Sequence, residues 1–268
     1  FSSALLLYGI SQIYGLTGTT RFDDINLALS TSSGISPGLL VGLVFIIAGL
    51  GFKVAAVPFH MWAPDVYEGA PTPVTAYLSV GSKAAAFALM LRFFSEALLP
   101  AGEEWQIILI VIATLTMTLG NLVALAQSNI KRLLAYSSIG HVGYLIMGIA
   151  AITPINPLSD VPTAYSHLIA NGIMLHLVAY AIATMAIFTV ASAVFNVTGK
   201  EEIADFAGLA HRSPLLALTM TASMFSLAGL PVFAGFTSKF YLFNAVSNQG
   251  LLWLAGLAIL TSLVSLYY

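Results

Sequence analysis

The sequence predicts an all-α, polytopic transmembrane helix bundle with two discontinuous helices, and three observations predict it. Apolar residues make up 59% of the 268 and mean hydropathy is +0.93, well above the roughly 45–50% apolar content of soluble domains. Only 7% of the residues are charged, and most of them fall in connectors. The apolar stretches between those connectors recur at about the 20-residue length that crosses a hydrocarbon core. Residues 1–268 are expected to form a single transmembrane domain. Both ends read as those of a fragment of a longer subunit, because Phe1 leads into an apolar run and Tyr268 follows one without a polar flank.

Taken in order, the punctuation allows roughly eight spans, the first and last partial, near 1–16, 37–60, 71–94, 106–127, 131–152, 165–196, 214–247 and 251–268. The first rests on the run from Ala4 to Ile10. The stretch 17–37, rich in Gly, Ser and Thr with Arg21, Asp23 and Asp24, reads as a solvated loop. The second span carries Pro58, which removes a backbone donor and disrupts a helix. The stretch from Pro58 to Pro73, dense in Pro and Gly and carrying Asp65 and Glu68, reads as a rigid re-entrant turn whose acids and aromatics could dock a partner surface. The seventh span is interrupted by Gly229, Pro231 and Gly235. The loop 198–214, with Lys200, Glu201, Glu202, Asp205 and Arg212, reads as solvated and partly amphipathic. Lys131, Arg132, Lys200 and Arg212 gather on one side against Arg21 and Arg92 on the other, so the positive-inside rule makes the first side cytoplasmic and puts 61–70 there. Trp62, Trp105 and Trp253 fall near span ends, as an interfacial aromatic belt would place them.

Composition also narrows the function. A net charge of -2 gives no footing for nucleic acid or a strongly charged partner. With no cysteine, disulfides, thiolate zinc sites and iron–sulfur ligation by this chain are excluded.

Three lysines, Lys53, Lys83 and Lys239, stand inside the apolar stretches. An ammonium there is unfavourable by at least ~2.5 kcal/mol on insertion scales, so it marks a functional site, here an ion pathway and most simply one for protons. Lys53 precedes Pro58 and Lys239 follows Pro231, and a pair of interrupted spans points to a transport site. The bland alternative is that the lysines snorkel to the interface. That is hardest for Lys83, near the middle of its span behind Ser79 and Ser82, and easiest for Lys239. A relay lysine has to lose and regain its proton, which withdrawal from water assists and a neighbouring carboxylate opposes. No Asp or Glu lies within a span: Asp65, Glu68, Glu96, Glu103, Glu104 and Asp160 are in connectors or at their edges.

His141 sits mid-span among hydroxyls and glycines and suits a relay, with Ser138 just before it; a histidine satisfied by a serine across the bundle is the alternative. His60 and Ser82 are secondary candidates beside Lys53 and Lys83. His167 and His176 share one span at a spacing wrong for a bis-histidine haem. His211, beside Arg212, reads as solvated.

Phe52-Lys53, Val57-Pro58-Phe59-His60, Trp62, Pro64-Asp65-Val66-Tyr67, Gly69-Ala70-Pro71 and Ser82-Lys83-Ala84 together resemble the antiporter-like membrane subunits of respiratory complex I. The resemblance continues through 129–144 and through Ser226 to Pro231 and Gly235 to Lys239. Lysines at 83 and 239 look most like the N-type subunit, the counterpart of mitochondrial subunit 2, with its homologue in the photosynthetic complex of chloroplasts and cyanobacteria close by. The resemblance implies an inverted-repeat antiporter-like fold of fourteen helices, of which this chain would supply the sixth to the thirteenth. It implies a relay from a glutamate on the preceding helix through Lys53, Lys83 and His141 to Lys239, and no role for His167 or His176. It further implies a proton-pumping subunit of NADH:quinone oxidoreductase without a redox centre of its own. Flavin, iron–sulfur clusters and quinone would belong to the whole complex, quinone touching this chain only indirectly. Its partners would be other membrane subunits and the bilayer, in a bacterial inner membrane or, alternatively, a thylakoid. A subunit of a multisubunit cation/proton antiporter and a structural membrane anchor are the competing readings.

Overall fold

The structure, a computed structural model, describes residues 1–31, 36–152 and 164–268, the side chains of 164–166 excepted. The connector acid Asp160 lies outside the described residues. The helices in order are α1 (Ser2–Thr17), α2 (Phe22–Thr31), α3 (Pro37–Val54), α4 (Trp62–Gly69), α5 (Thr72–Arg92), α6 (Gly102–Ala124), α7 (Ile130–Ala150), α8 (Ala164–Thr198), α9 (Leu209–Arg212), α10 (Pro214–Ala228), α11 (Ala234–Asn248) and α12 (Leu252–Val264). Among the described residues, five helical stretches are long and apolar enough to cross a membrane, namely 37–54, 72–97, 99–124, 130–150 and 167–198. The all-α bundle with two broken helices is therefore the observed architecture.

α7 is the axis of the bundle. Apart from Arg132 in its first turn, its residues are buried along the whole length, whereas the other long spans bury 39–56% of theirs. Its sequence explains this: Ser137, Ser138, Gly140, His141, Gly143 and Gly148 leave no continuous greasy face for lipid, and small residues let neighbouring backbones approach. α6 packs tightly on it, and a side chain at Gly120 would collide with the backbone of Gly140. The polar groups α7 carries beyond its first turn are therefore enclosed by protein.

The first break comes earlier than Pro58 alone suggests. α3 stops at Val54, and Ala55 takes a left-handed conformation at φ 62°. The residue before a proline is also disfavoured in the helical region, so the chain stays irregular to Met61. A donor freed there is recaptured, since the Val57 amide donates to Thr116 Oγ1 on α6 at 3.0 Å. The connector 61–70 then forms α4 rather than a bare turn. In the second break, α10 ends at Ala228 and α11 begins at Ala234.

Two expectations are corrected. The segment 17–37 is not simply a loop: α2 carries Asp23 and Asp24 in its first turn, where the helix dipole favours acids, and buries Ile25. Its Phe22 ring meets Phe93 at 5.7 Å and Asn26 donates to the Glu96 carbonyl at 2.6 Å. Trp105 does not belong to a lipid-facing belt. It is 0% exposed, donates to the Leu98 carbonyl at 2.8 Å and packs on Phe94 at 4.9 Å, so its indole is satisfied inside the protein. Trp253 is exposed, and Trp62 stacks on Phe52 while donating to its carbonyl.

The connectors expected on one side do share one end of the bundle. Arg132 pairs with Asp65 at 2.8 Å and Glu68 at 2.9 Å, and Lys131 pairs with Glu201 at 2.7 Å. The Ile130 amide donates to the Glu201 carbonyl and the Ile203 amide to that of Ser128. The loop 198–214 contains a short 3-10 turn, Ile203–Phe206, followed by α9.

Candidate functional site

The interior polar residues converge on α7 from α5 on one side and from α8 and α11 on the other, α11 being the helix that follows the second break. Lys83, on α5 and 3% exposed, donates to Ser138 Oγ at 2.6 Å. Ser138 in turn donates to the Ala135 carbonyl within its own helix. One turn further along the same face stands His141.

His141 Nδ1 lies 3.1 Å from His176 Nε2, and His176 Nδ1 lies 3.0 Å from Ser238 Oγ. Ser238 donates to the Gly235 carbonyl at 3.0 Å. With Ser238 donating there, His176 Nδ1 is the donor to Ser238, which leaves Nε2 as an acceptor for His141 Nδ1–H. The neutral row is thus a one-directional wire of hydrogen bonds from α7 through α8 to α11. His176 is 1% exposed.

Lys239 follows Ser238 in sequence and is 4% exposed. Its ammonium donates to the carbonyls of Leu227 at 2.8 Å and Ala228 at 3.0 Å and to Ser262 Oγ at 2.8 Å, which uses all three of its protons. The two carbonyls are free because α10 ends at Ala228. The negative end of the α10 dipole therefore faces the charge. This is the physical use of the break: the interrupted helix supplies the acceptors that no carboxylate in the span provides. Gly229 makes it possible with φ 88°, and a Cβ there would meet the Lys239 Cδ at 3.0 Å. Gly235 lies against Ser226 so closely that a Cβ would overlap the Ser226 carbonyl oxygen. Pro231 sits exposed between them.

Aromatic rings line the row. The Lys83 Nζ stands 5.7 Å from the Tyr67 ring centroid and Lys239 Nζ 5.3 Å from that of Tyr144. The Tyr144 hydroxyl accepts from Asn121 Nδ2 at 3.1 Å and lies 3.3 Å from Thr261 Oγ1. The Tyr180 ring stands 5.2 Å from that of His141.

Of the residues singled out from the sequence, Lys83, Ser138, His141 and Lys239 are gathered into this row, and Gly229, Pro231 and Gly235 shape the break beside it. Lys53 is not gathered: it is exposed on the flank of α3 and makes no ion pair among the described residues. Ser82 is exposed and bonds back to the Leu78 carbonyl, facing away from Lys83. His60 is buried after the first break, and its Nδ1 has no hydrogen-bond partner among the described residues. Pro58 is exposed within the break. His167 and His211 are exposed. The sequence assigns no role to His176, Ser238, Ser262 or Tyr144. The one local signal is Ser238 beside Lys239, while His176 looks like any mid-span histidine until α8 is packed on α7.

Comparison with known proteins agrees with this architecture. Residues 1–265 match the sequence model of the family described as "NADH:quinone oxidoreductase/Mrp antiporter, TM". NADH-quinone oxidoreductase subunit N of Heliobacterium modesticaldum is 49% identical over 268 residues, covering 100% of this chain and 53% of the relative. A chain of respiratory complex I from Thermus thermophilus, solved with aureothin bound, superposes with a TM-score of 0.79 at 35% identity, covering 100% of this chain and 54% of that one. A chain of the Mrp complex from Dietzia sp. gives a TM-score of 0.84 at 26% identity, covering 99% and 46%. The chain spans about half the length of the curated relatives it matches. With the family model matched over nearly its whole length, the chain belongs to the NADH:quinone oxidoreductase/Mrp antiporter transmembrane family.

Proposed function

We propose that this chain is the relay-bearing half of a subunit N of a bacterial NADH:quinone oxidoreductase, and that it moves protons across the inner membrane. The observation that carries the reading is the buried row of Lys83, Ser138, His141, His176, Ser238 and Lys239. Two ammonium groups lie at its ends, with no carboxylate at ion-pair distance among the described residues, and imidazoles able to donate and accept lie between. The similarity to subunit N relatives at about half identity supports the choice of complex.

In this mechanism a proton reaching His141 on its outer nitrogen displaces the Nδ1 proton to His176. His176 then passes its own Nδ1 proton to Ser238, whose hydroxyl proton leaves the Gly235 carbonyl and reaches the amine of Lys239, when that amine is neutral, through an intervening water, because Lys239 Nζ is bonded to Leu227, Ala228 and Ser262 and not directly to Ser238. The hydrogen bonds are left pointing the other way, and ring turns reset them. Charge on one lysine disfavours charge on the next by Coulomb repulsion, which is strong where the effective dielectric is low. A change in charge or hydration at one end of the row therefore propagates along it. Quinone reduction elsewhere in the complex would supply that change. Lys53 would join the row where the remainder of the subunit packs on α3.

A second reading, a subunit of a multisubunit cation/proton antiporter, is favoured by the fold similarity to the Mrp complex. Replacing Lys239 by Met in the assembled complex, in proteoliposomes, tests both. Loss of NADH-driven proton uptake supports the relay. Native uptake refutes it and favours a structural anchor, and sodium-dependent exchange without NADH oxidation favours the antiporter.

A further inference from the structure

The motif Pro64-Asp65-Val66-Tyr67-Glu68 is not absorbed by the relay, yet α4 places its side chains with a division of labour. Asp65 and Glu68 point outward to Arg132 of α7, at 2.8 and 2.9 Å. Tyr67, between them in sequence, points inward, is fully buried and carries its ring 5.7 Å from the Lys83 ammonium. The ring is braced edge-on by Phe188 at 6.5 Å, and its carbonyl accepts from Thr75 at 3.1 Å. The Tyr67 hydroxyl lies buried beside Ser138 and Tyr180 and makes no hydrogen bond of full geometry among the described residues. A phenol buried with so weakly held a hydroxyl makes sense if the face of the ring is the functional part.

The same arrangement recurs at the other lysine. Tyr144 presents its ring 5.3 Å from the Lys239 ammonium, held in place by Asn121 and Thr261 at its hydroxyl. Both distances are within the ~6 Å over which a ring quadrupole attracts a cation. Neither ammonium is within ion-pair distance of a carboxylate among the described residues. A carboxylate would fix the charge, whereas bare hydrocarbon would expel it. A ring face lies between these extremes.

We propose that Tyr67 and Tyr144 are positioning residues, one aromatic seat for each buried lysine, acting through the ring and not the hydroxyl. The proposal rests on the relay reading above, and Arg132 with Asp65 and Glu68 serves it by clamping α4 so that the Tyr67 ring stays beneath Lys83.

The test uses the full complex reconstituted in proteoliposomes, with assembly checked on native gels and two readouts, NADH:quinone turnover and protons taken up per electron pair. The variants are Tyr67→Phe, Tyr67→Leu, Tyr144→Phe and Tyr144→Leu, with Lys83→Met and Lys239→Met alongside. Phenylalanine is expected to keep proton uptake within about twofold of the native complex, and leucine to lower its rate by roughly tenfold, the order a desolvated cation–ring contact supports. Leucine variants that pump normally while the lysine variants do not would overturn the seats and leave the relay standing. Phenylalanine variants as impaired as leucine would overturn the ring in favour of the hydroxyl. Lysine variants that pump normally would overturn the relay itself, and the seats with it. Should a leucine variant fail to assemble, methionine replaces it under the same criterion.

Discussion

Replacing His176 by Phe breaks the wire at its middle while keeping a ring of similar size against His141 and Tyr144. Two hydrogen bonds go, the 3.1 Å bond to His141 and the 3.0 Å bond to Ser238. Ser238 keeps its bond to the Gly235 carbonyl, so its hydroxyl is not orphaned. His141 Nδ1 is left buried without a partner, which destabilises the fold by about 1–3 kcal/mol. The functional effect is expected to be larger. Removing a positioned group that accepts and donates the proton slows such a step by ~10²–10⁴-fold, or about 3–5 kcal/mol of barrier at 1.36 kcal/mol per tenfold. The assay is proton uptake per electron pair by the assembled complex in proteoliposomes, with NADH oxidation followed in the same sample. The expected result is an assembled complex whose uptake per electron pair falls. An assembled His176→Phe complex with the native ratio and native turnover would refute the wire, because no hydrogen-bonded route through the phenyl ring exists.

Three further outcomes follow from the packing. Gly235→Ala sets a methyl into the Ser226 carbonyl, and the backbone of α10 must move; a loss of about 1–3 kcal/mol is expected as a lower midpoint in thermal unfolding of the purified subunit, and an unchanged midpoint would contradict the close approach at the second break. Lys131→Met leaves Glu201 without its 2.7 Å partner at a site where the two side chains are 6% and 20% exposed; breaking a buried pair in this way is worth up to about 3–5 kcal/mol, to be read as increased proteolysis of the loop 198–214. Ser138→Ala removes the hydrogen-bonded acceptor of Lys83 and is expected to lower proton uptake, whereas Ser82→Ala, exposed and bonded only to its own helix, is expected to leave it within about ±0.5 kcal/mol of native stability and at native rate. Equal effects of the two serine variants would count against Lys83 pointing at α7.

Much of the fold is legible in the chain because a membrane restricts what a chain can do. Backbone groups in hydrocarbon must be paired within the segment, so apolar runs of span length become helices and their interruptions become breaks. The ends of α5, α6, α7 and α8 accordingly fall within a few residues of the limits read from the sequence. Local geometry is less legible. The Gly, Ser and Thr around Arg21, Asp23 and Asp24 look like a loop, yet Ile25 and Phe22 bury enough to hold a helix against the π-helical turn Phe93–Ala97 that follows α5. Trp105 looks like a belt residue from its place near a span end, and only the turn formed by 98–101 gives its indole an interior acceptor. The first break begins at Ala55 because the left-handed turn there forms before Pro58 is reached.

By itself the sequence determined that the chain crosses a membrane, that two of its helices are interrupted, and that Lys53, Lys83, His141 and Lys239 are charges or potential charges where hydrocarbon would otherwise be expected. The reason is that desolvation acts on each residue separately and needs no knowledge of neighbours. Tertiary structure alone decided which of these groups touch. It showed that Lys239 is held by carbonyls freed at the end of α10, that His176 stands between His141 and Ser238, and that Lys53 lies apart on the flank of α3. Hydrogen bonds reach only about 3 Å and depend on direction. Partners 35 and 62 residues apart in the chain, as His141 and Ser238 are from His176, therefore become visible only when α7, α8 and α11 are packed together.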